Sequence, residues 1–183
     1  MVHTNLPLDP ERLPRLEAIP LTPVSPRLAP CQALQQLWRW WLLALLASLV
    51  PLSEPPLADW QGTLAIGIAG LGLVLAVFAW VEARRRAYGL REHDLCYRRG
   101  LWVRRTQVLP LVRLQHVETL STPLERAFGL VRLACFTAGG GGADLVLEGL
   151  PADRAEAVKR YLLARLESES GTPEPVPPEE PLP

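Results

Sequence analysis

The run Trp60 to Val81, "WQGTLAIGIAGLGLVLAVFAWV", constrains this chain more than any other stretch. It holds twenty-two residues without a charge, and only Gln61 and Thr63 are clearly polar. A helix rising about 1.5 Å per residue covers roughly 33 Å over that length, enough to cross the hydrocarbon core of a bilayer. Trp60 and Trp80 stand at its two ends, where aromatic rings settle at a membrane–water interface. The competing reading, a buried hairpin in a soluble core, fits an uncharged run of this length poorly. The fragment "GIAGLG" has no preceding strand, so it does not read as a dinucleotide-binding loop. Small residues (Ala65 and Ala69, or Gly72 and Ala76) are instead expected to pack against Ala44 and Ser48.

A second apolar segment, Leu37 to Leu52, precedes it. Its charge-free part, Trp40 to Leu52, has thirteen residues and is too short alone. Extension back to about Ala33 reaches the required length and admits Gln35, Gln36 and Arg39. An arginine at mid-bilayer costs about 2.5–3.5 kcal/mol. Near the interface its stem can lie in the apolar layer while the guanidinium reaches water. The sequence therefore predicts a transmembrane helical hairpin over residues 33–82, with spans at about 34–52 and 60–81. Only "SEPPLAD", Ser53 to Asp59, joins them. That loop carries no basic residue, whereas Arg27 and Arg39 precede the first span and "EARRRAYGLR" follows the second. The positive-inside rule then puts both termini in the cytoplasm of a multi-pass protein of the inner (plasma) membrane. A late start and two apolar runs argue against a cleavable signal sequence.

Charge is balanced overall and uneven along the chain. Between Arg84 and Arg132 there are eleven arginines against four acids, Glu92, Asp94, Glu118 and Glu125. Such a basic stretch beside a membrane suits an anionic partner. The candidate lipid-headgroup or topology-setting residues are Arg84, Arg85, Arg86, Arg98, Arg99, Arg104 and Arg105. Strand alternation puts Arg98 and Arg99 on opposite faces, as it does Arg104 and Arg105, which argues against one pocket gathering all four. Residues 1–32 form a proline-rich lead-in with seven prolines up to Pro30, expected to be extended. Residues 167–183 form an acidic proline-rich tail, expected to be disordered. The three cysteines, Cys31, Cys96 and Cys135, are far apart and none has a histidine at ligand spacing. They read as free thiols, with no metal and no cofactor expected.

Residues 83–166 read as an α+β domain of short strands closed by one helix. "LCYRRGLWVRRTQVLPL" predicts strands Leu95–Arg98 and Leu101–Leu109 around a tight turn at Arg99-Gly100. "RLQHVETL" continues as a strand, and "STPLERAFGL" breaks at Pro123 into a short turn or single helical turn. Val131–Thr137 and Ala143–Glu148 flank the glycines Gly139–Gly142, a hairpin loop that lacks the Lys-Ser/Thr and helix start of a phosphate loop. In "LPADRAEAVKRYLLARL", Asp153 is a plausible N-cap, and Ala155, Val158, Leu162 and Leu166 make one apolar stripe.

Five pieces, "YGLREHDLCYRRGLW", "VLPLVRLQHVE", "PLERAFGL", "FTAG" and "EGLP", together with the two preceding apolar segments, resemble the bacterial pleckstrin-homology-like, YdbS-like family of membrane-flanked domains. The resemblance covers roughly Pro20 to Leu166. It implies a two-helix transmembrane hairpin followed by a small PH-like antiparallel β-barrel or sandwich with a C-terminal helix. It also implies a cell-envelope role beside another membrane protein, such as a longer relative, and it transfers no catalytic residue.

Three functions compete on these grounds. The first is a membrane-anchored PH-like binding or scaffold module of the cell envelope. The second is recognition of anionic lipid headgroups at the inner leaflet by the arginine set. The third is an enzyme built on His116, Glu118 and Ser121. His116 and Glu118 share a strand face while Ser121 points elsewhere, and no nucleophile elbow or adjacent glycine forms an oxyanion site. The expectation is a non-catalytic protein whose partners are the bilayer and another membrane protein, without nucleic acid.

Overall fold

The computed structural model describes residues 20–49, 57–138 and 142–170. Most of the proline-rich lead-in, most of the acidic tail, the start of the inter-helix loop and Gly139–Gly141 lie outside the described residues. Chain order is β1 (Thr22–Pro23), α1 (Leu28–Leu49), α2 (Leu57–Ala83), β2 (Ala87–Leu90), β3 (Asp94–Arg99), β4 (Arg105–Pro110), β5 (Leu114–Leu120), α3 (Pro123–Ala127), β6 (Leu130–Thr137), β7 (Leu145–Pro151) and α4 (Ala152–Ser170). A single 3-10 turn at Leu111–Arg113 separates β4 from β5. The fold is α+β.

Helix α1 starts at Leu28, earlier than the proline content suggested. Pro30 falls in its first turn, where backbone N–H groups have no intrahelical partner to lose. The Ser25 carbonyl accepts from the Leu28 amide at 3.0 Å. Helices α1 and α2 pack along each other. They come close at Gly72, where any side chain would overlap Trp40. Ala76 and Ala44 are buried, while Gly62, Gly67 and Gly70 face open space. The Gln61 side chain donates to the Ala47 and Ser48 carbonyls at 3.0 and 2.9 Å, closing the far end of the pair.

Among the described residues only Trp60–Ala83 of α2 is long and apolar enough to cross a membrane. Just 11% of its most apolar window is buried within the chain, so it is no core helix of a soluble fold. Helix α1 does not match it, because Gln35, Gln36 and Arg39 interrupt its apolar surface. Two equally clear spans are therefore not what the structure gives. Arg39 bends back along the helix, its Nε 3.3 Å from the Gln35 carbonyl and its guanidinium 3.1 Å from Gln36 Oε1.

The strands form two separate antiparallel sheets, ordered β1-β2-β3-β4 and β5-β6-β7. They do not close into a barrel. Pro110 ends β4 without a donor, and the 3-10 turn redirects the chain before β5 begins. The β3–β4 hairpin also differs from expectation. Its turn spans Gly100 to Arg104, and Leu101–Arg104 is not strand. Gly100 has φ +106°, and a Cβ there would collide with the Val103 carbonyl. In β5 a register shift between Leu114 and His116 leaves Gln115 unpaired, so Leu114 and Val117 both reach the core three residues apart.

One core joins both sheets to the helices. Leu95, Tyr97, Leu109, Leu133, Leu147 and Leu150 fill it from the strands. Ala155, Val158 and Leu162 of α4 cover the second sheet, with Leu166 packed at the edge. Each of Val158 and Leu162 contributes roughly 1.5–3 kcal/mol by leaving water. Val24, Leu28, Ala29 and Cys31 belong to the same core, so the start of α1 is an integral part of the domain. Helix α4 begins at Ala152, which places Asp153 in the first turn rather than at the cap. The Ala152 amide is held by the Gly129 carbonyl at 3.3 Å. The helix continues to Ser170, since no proline or glycine intervenes before Gly171.

Candidate functional site at the helix–sheet junction

Where α2 ends, the chain turns through Arg84 and Arg85 into Arg86, and this third arginine organises the junction. Its guanidinium forms ion pairs with Glu82 one helical turn back, at 2.5 Å, and with Glu148 on β7. It also donates to Gln32 Oε1 of α1 at 3.2 Å, while Gln32 Nε2 donates to Glu148 at 3.1 Å. Glu82 accepts in addition from the Gly100 amide at 3.1 Å. One cation thus ties α1, α2, β7 and the β3–β4 turn. Burial works against its charge, yet the hydrogen bond to Glu82 and the surrounding Tyr97, Glu148 and Glu82 outweigh it and hold its pKa above the usual arginine value.

The "EGLP" piece explains why Glu148 reaches this point. A register shift between Val131 and Leu133 sets Glu148 and Gly149 together opposite β6. Gly149 adopts φ +81° and lets α1 approach so closely that a Cβ would lie 2.6 Å from Leu28 Cδ2. Its carbonyl accepts from the Ser25 amide at 3.0 Å.

The remaining arginines divide into two groups. Arg84, Arg85, Arg98 and Arg104 line, with Arg86 and Leu21, a groove of about 510 Å³ beside β1 and β2. Arg99 and Arg105 are register partners across β3 and β4 and do not line it. Among the described residues, Arg84, Arg85, Arg98 and Arg104 make no ion pair, whereas Arg86 is fully engaged. Sequence reasoning missed Glu82, Glu148, Gln32 and Trp102 at this junction. Glu82 carried a signal, its i,i+4 spacing to Arg86. Glu148 carried none, being 62 residues from its partner.

A second groove, of about 750 Å³, lies between α1 and α3, lined by Leu34, Trp38, Pro123, Leu124 and Arg132 among others. Its floor explains the "PLER" piece. Thr122 caps α3 by accepting from the Glu125 amide at 3.3 Å, and Glu125 accepts from the Thr122 amide at 2.9 Å. The other oxygen of Glu125 pairs with Arg132 Nε at 2.6 Å. At 3% exposure Glu125 is the one buried charged residue among those described, and its partners account for it. Gly129, at φ +67°, ends this turn and starts β6.

His116 and Glu118 lie 3.1 Å apart on the exposed side of β5, and the His116 ring sits tilted against Phe136 with centroids 5.7 Å apart. The Ser121 carbonyl accepts from Arg126 at 3.2 Å. The three form a strand-surface pair and a turn, and the Ser121 hydroxyl makes no hydrogen bond to either His116 or Glu118. The cysteines are free and buried, and burial pushes the Cys135 thiol up to about 11. Among the described residues no three His, Cys, Asp or Glu side chains converge as metal ligands.

Two short antiparallel sheets covered by α4 and led into by the apolar α2 fit a membrane-associated α+β module. The comparisons with known proteins are specific on this point. The chain matches the Bacterial PH domain family over residues 28–166 and belongs to it. It is 31% identical over 106 residues to the UPF0699 transmembrane protein YdbT of Bacillus subtilis (strain 168), covering 57% of this chain and 21% of YdbT. It is likewise 31% identical over 86 residues to the UPF0699 transmembrane protein YdbS of the same organism, covering 46% of this chain and 54% of YdbS. The chain thus matches only part of either relative's length. No solved structure matches it.

Proposed function

We propose that the chain is a non-catalytic, membrane-anchored binding or scaffold module of the bacterial cell envelope, acting in a complex with another membrane protein. The observation that carries this reading is the junction. The apolar helix is locked to the sheets through Arg86, Glu82, Glu148 and Gln32, so the domain is held in one attitude to the helix instead of swinging on a linker. A fixed attitude suits a surface presented to a membrane neighbour. In this reading α1 and α2 form a two-span hairpin with both termini cytoplasmic, and Arg84 and Arg85 mark the inner face. The downward reach of Arg39 toward Gln35 and Gln36 supports it, because the guanidinium then lies toward the cytoplasmic interface. The apolar side of α1 supports it too, with Trp38 68% and Leu49 67% exposed.

In-membrane photocrosslinking from Trp38 and Leu42, followed by mass spectrometry, tests the proposal. A discrete adduct to a second membrane protein is the expected result. Lipid adducts alone would remove the scaffold reading.

A further inference from the structure

The tip of the β3–β4 hairpin carries the most exposed large apolar side chain in the described structure. Trp102 is 85% exposed and its neighbour Val103 69%. Such a pair at a hairpin tip is costly to leave in water. Its position is informative. Leu101 and Trp102 share a groove with Leu75, Phe78, Ala79 and Glu82 of α2. The tip therefore stands beside the last turns of the apolar helix, level with residues that precede its end at Ala83. On the adjoining side, Arg98 and Arg104 from the same hairpin line the basic groove with Arg84 and Arg85. An indole at the end of an apolar helix, bordered by unpaired guanidinium groups, matches the order of layers in a membrane interface. Rings settle at the acyl–headgroup boundary and arginines reach the phosphates.

We infer that the hairpin tip is a second membrane contact. Trp102 and Val103 enter the interface beside α2, and Arg84, Arg85, Arg98 and Arg104 bind the phosphates of anionic lipid headgroups. This rests on the reading that α2 crosses the bilayer, and it narrows the seven candidate arginines to four. Arg86 is excluded by its two carboxylates, and Arg99 and Arg105 by their position. Held by a helix on one side and a wedge on the other, the domain would take a tilt that depends on the charge of the leaflet.

The test uses the full chain in nanodiscs of phosphatidylcholine, with or without phosphatidylglycerol, and lipids brominated high on the acyl chain as quenchers. The share of fluorescence due to Trp102 is the difference between the native chain and Trp102→Phe. That share is expected to be quenched by bromolipid, and more strongly with phosphatidylglycerol. The double variant Arg98→Gln/Arg104→Gln should lower the ratio of docked to undocked tip on the order of fivefold per arginine. Quenching of Trp102 by aqueous iodide instead, or bromolipid quenching indifferent to lipid charge, overturns the inference. If the other tryptophans of Trp102→Phe also escape bromolipid, α2 is outside the membrane and the underlying reading fails with it.

Discussion

At the scale of single residues, two glycines separate structural need from tolerance. Gly149 holds φ +81° against Leu28, so Gly149→Ala forces a strained backbone and a steric overlap at once. The expected loss is about 1–3 kcal/mol in unfolding free energy. Gly67 lies inside α2 and faces open space, so Gly67→Ala should cost nothing and stabilise by up to about 1 kcal/mol. Denaturant unfolding of the two variants in the same detergent reads the difference, and equal losses would contradict the bulge as a point of contact. The reactive-looking side chains of the chain have similarly local explanations. Glu125 closes a capping box and pairs with Arg132, and His116 leans on Phe136.

At the scale of elements, the junction depends on one cation between two carboxylates. Arg86→Ala would leave Glu82 and Glu148 facing each other in a partly buried place. Removing one side of such a cluster costs about 3–5 kcal/mol. Glu148→Gln should cost far less, because Gln32 and Arg86 keep a neutral partner and Arg86 keeps Glu82. Thermal unfolding followed by circular dichroism should therefore rank Arg86→Ala well below Glu148→Gln. A reversed order would mean that the network does not join the helices to β7. Hairpin β3–β4 belongs to this scale as well. Alternation in "LWVRRTQVL" suggested strand from Leu101 onward, yet the amide of Gly100 is taken by Glu82 and the next residues bow out to Arg104. A side chain on α2 thus decides where a strand begins.

At the scale of the molecule, the domain is not confined to the chain after α2. Val24, Leu28, Ala29 and Cys31 fill the core between the sheets, and β1 pairs with β2 as an edge strand. A fragment of residues 84–170 should consequently lack cooperative unfolding and give a collapsed, poorly dispersed amide spectrum. Residues 20–36 added in trans should restore order. A well-dispersed spectrum from the short fragment alone would refute this dependence.

Much of this architecture was legible in the residues because it rests on local periodicity. The uncharged run to Val81, the stripe Ala155–Val158–Leu162–Leu166 and the break at Pro123 each follow from residues within a few turns of chain. Those signals fix the apolar helix and the closing helix, while the family rests on the five motif pieces and the match over residues 28–166. What the tertiary structure decided involves groups far apart in sequence. The two sheets stay separate because the chain is redirected between Pro110 and Leu114. Glu148 neutralises Arg86 across 62 residues, which removes one arginine from the basic set and leaves four around the groove. Hydrophobic pattern is written along the chain, whereas the pairing of a charge and the exposure of Trp102 depend on what folding brings beside them.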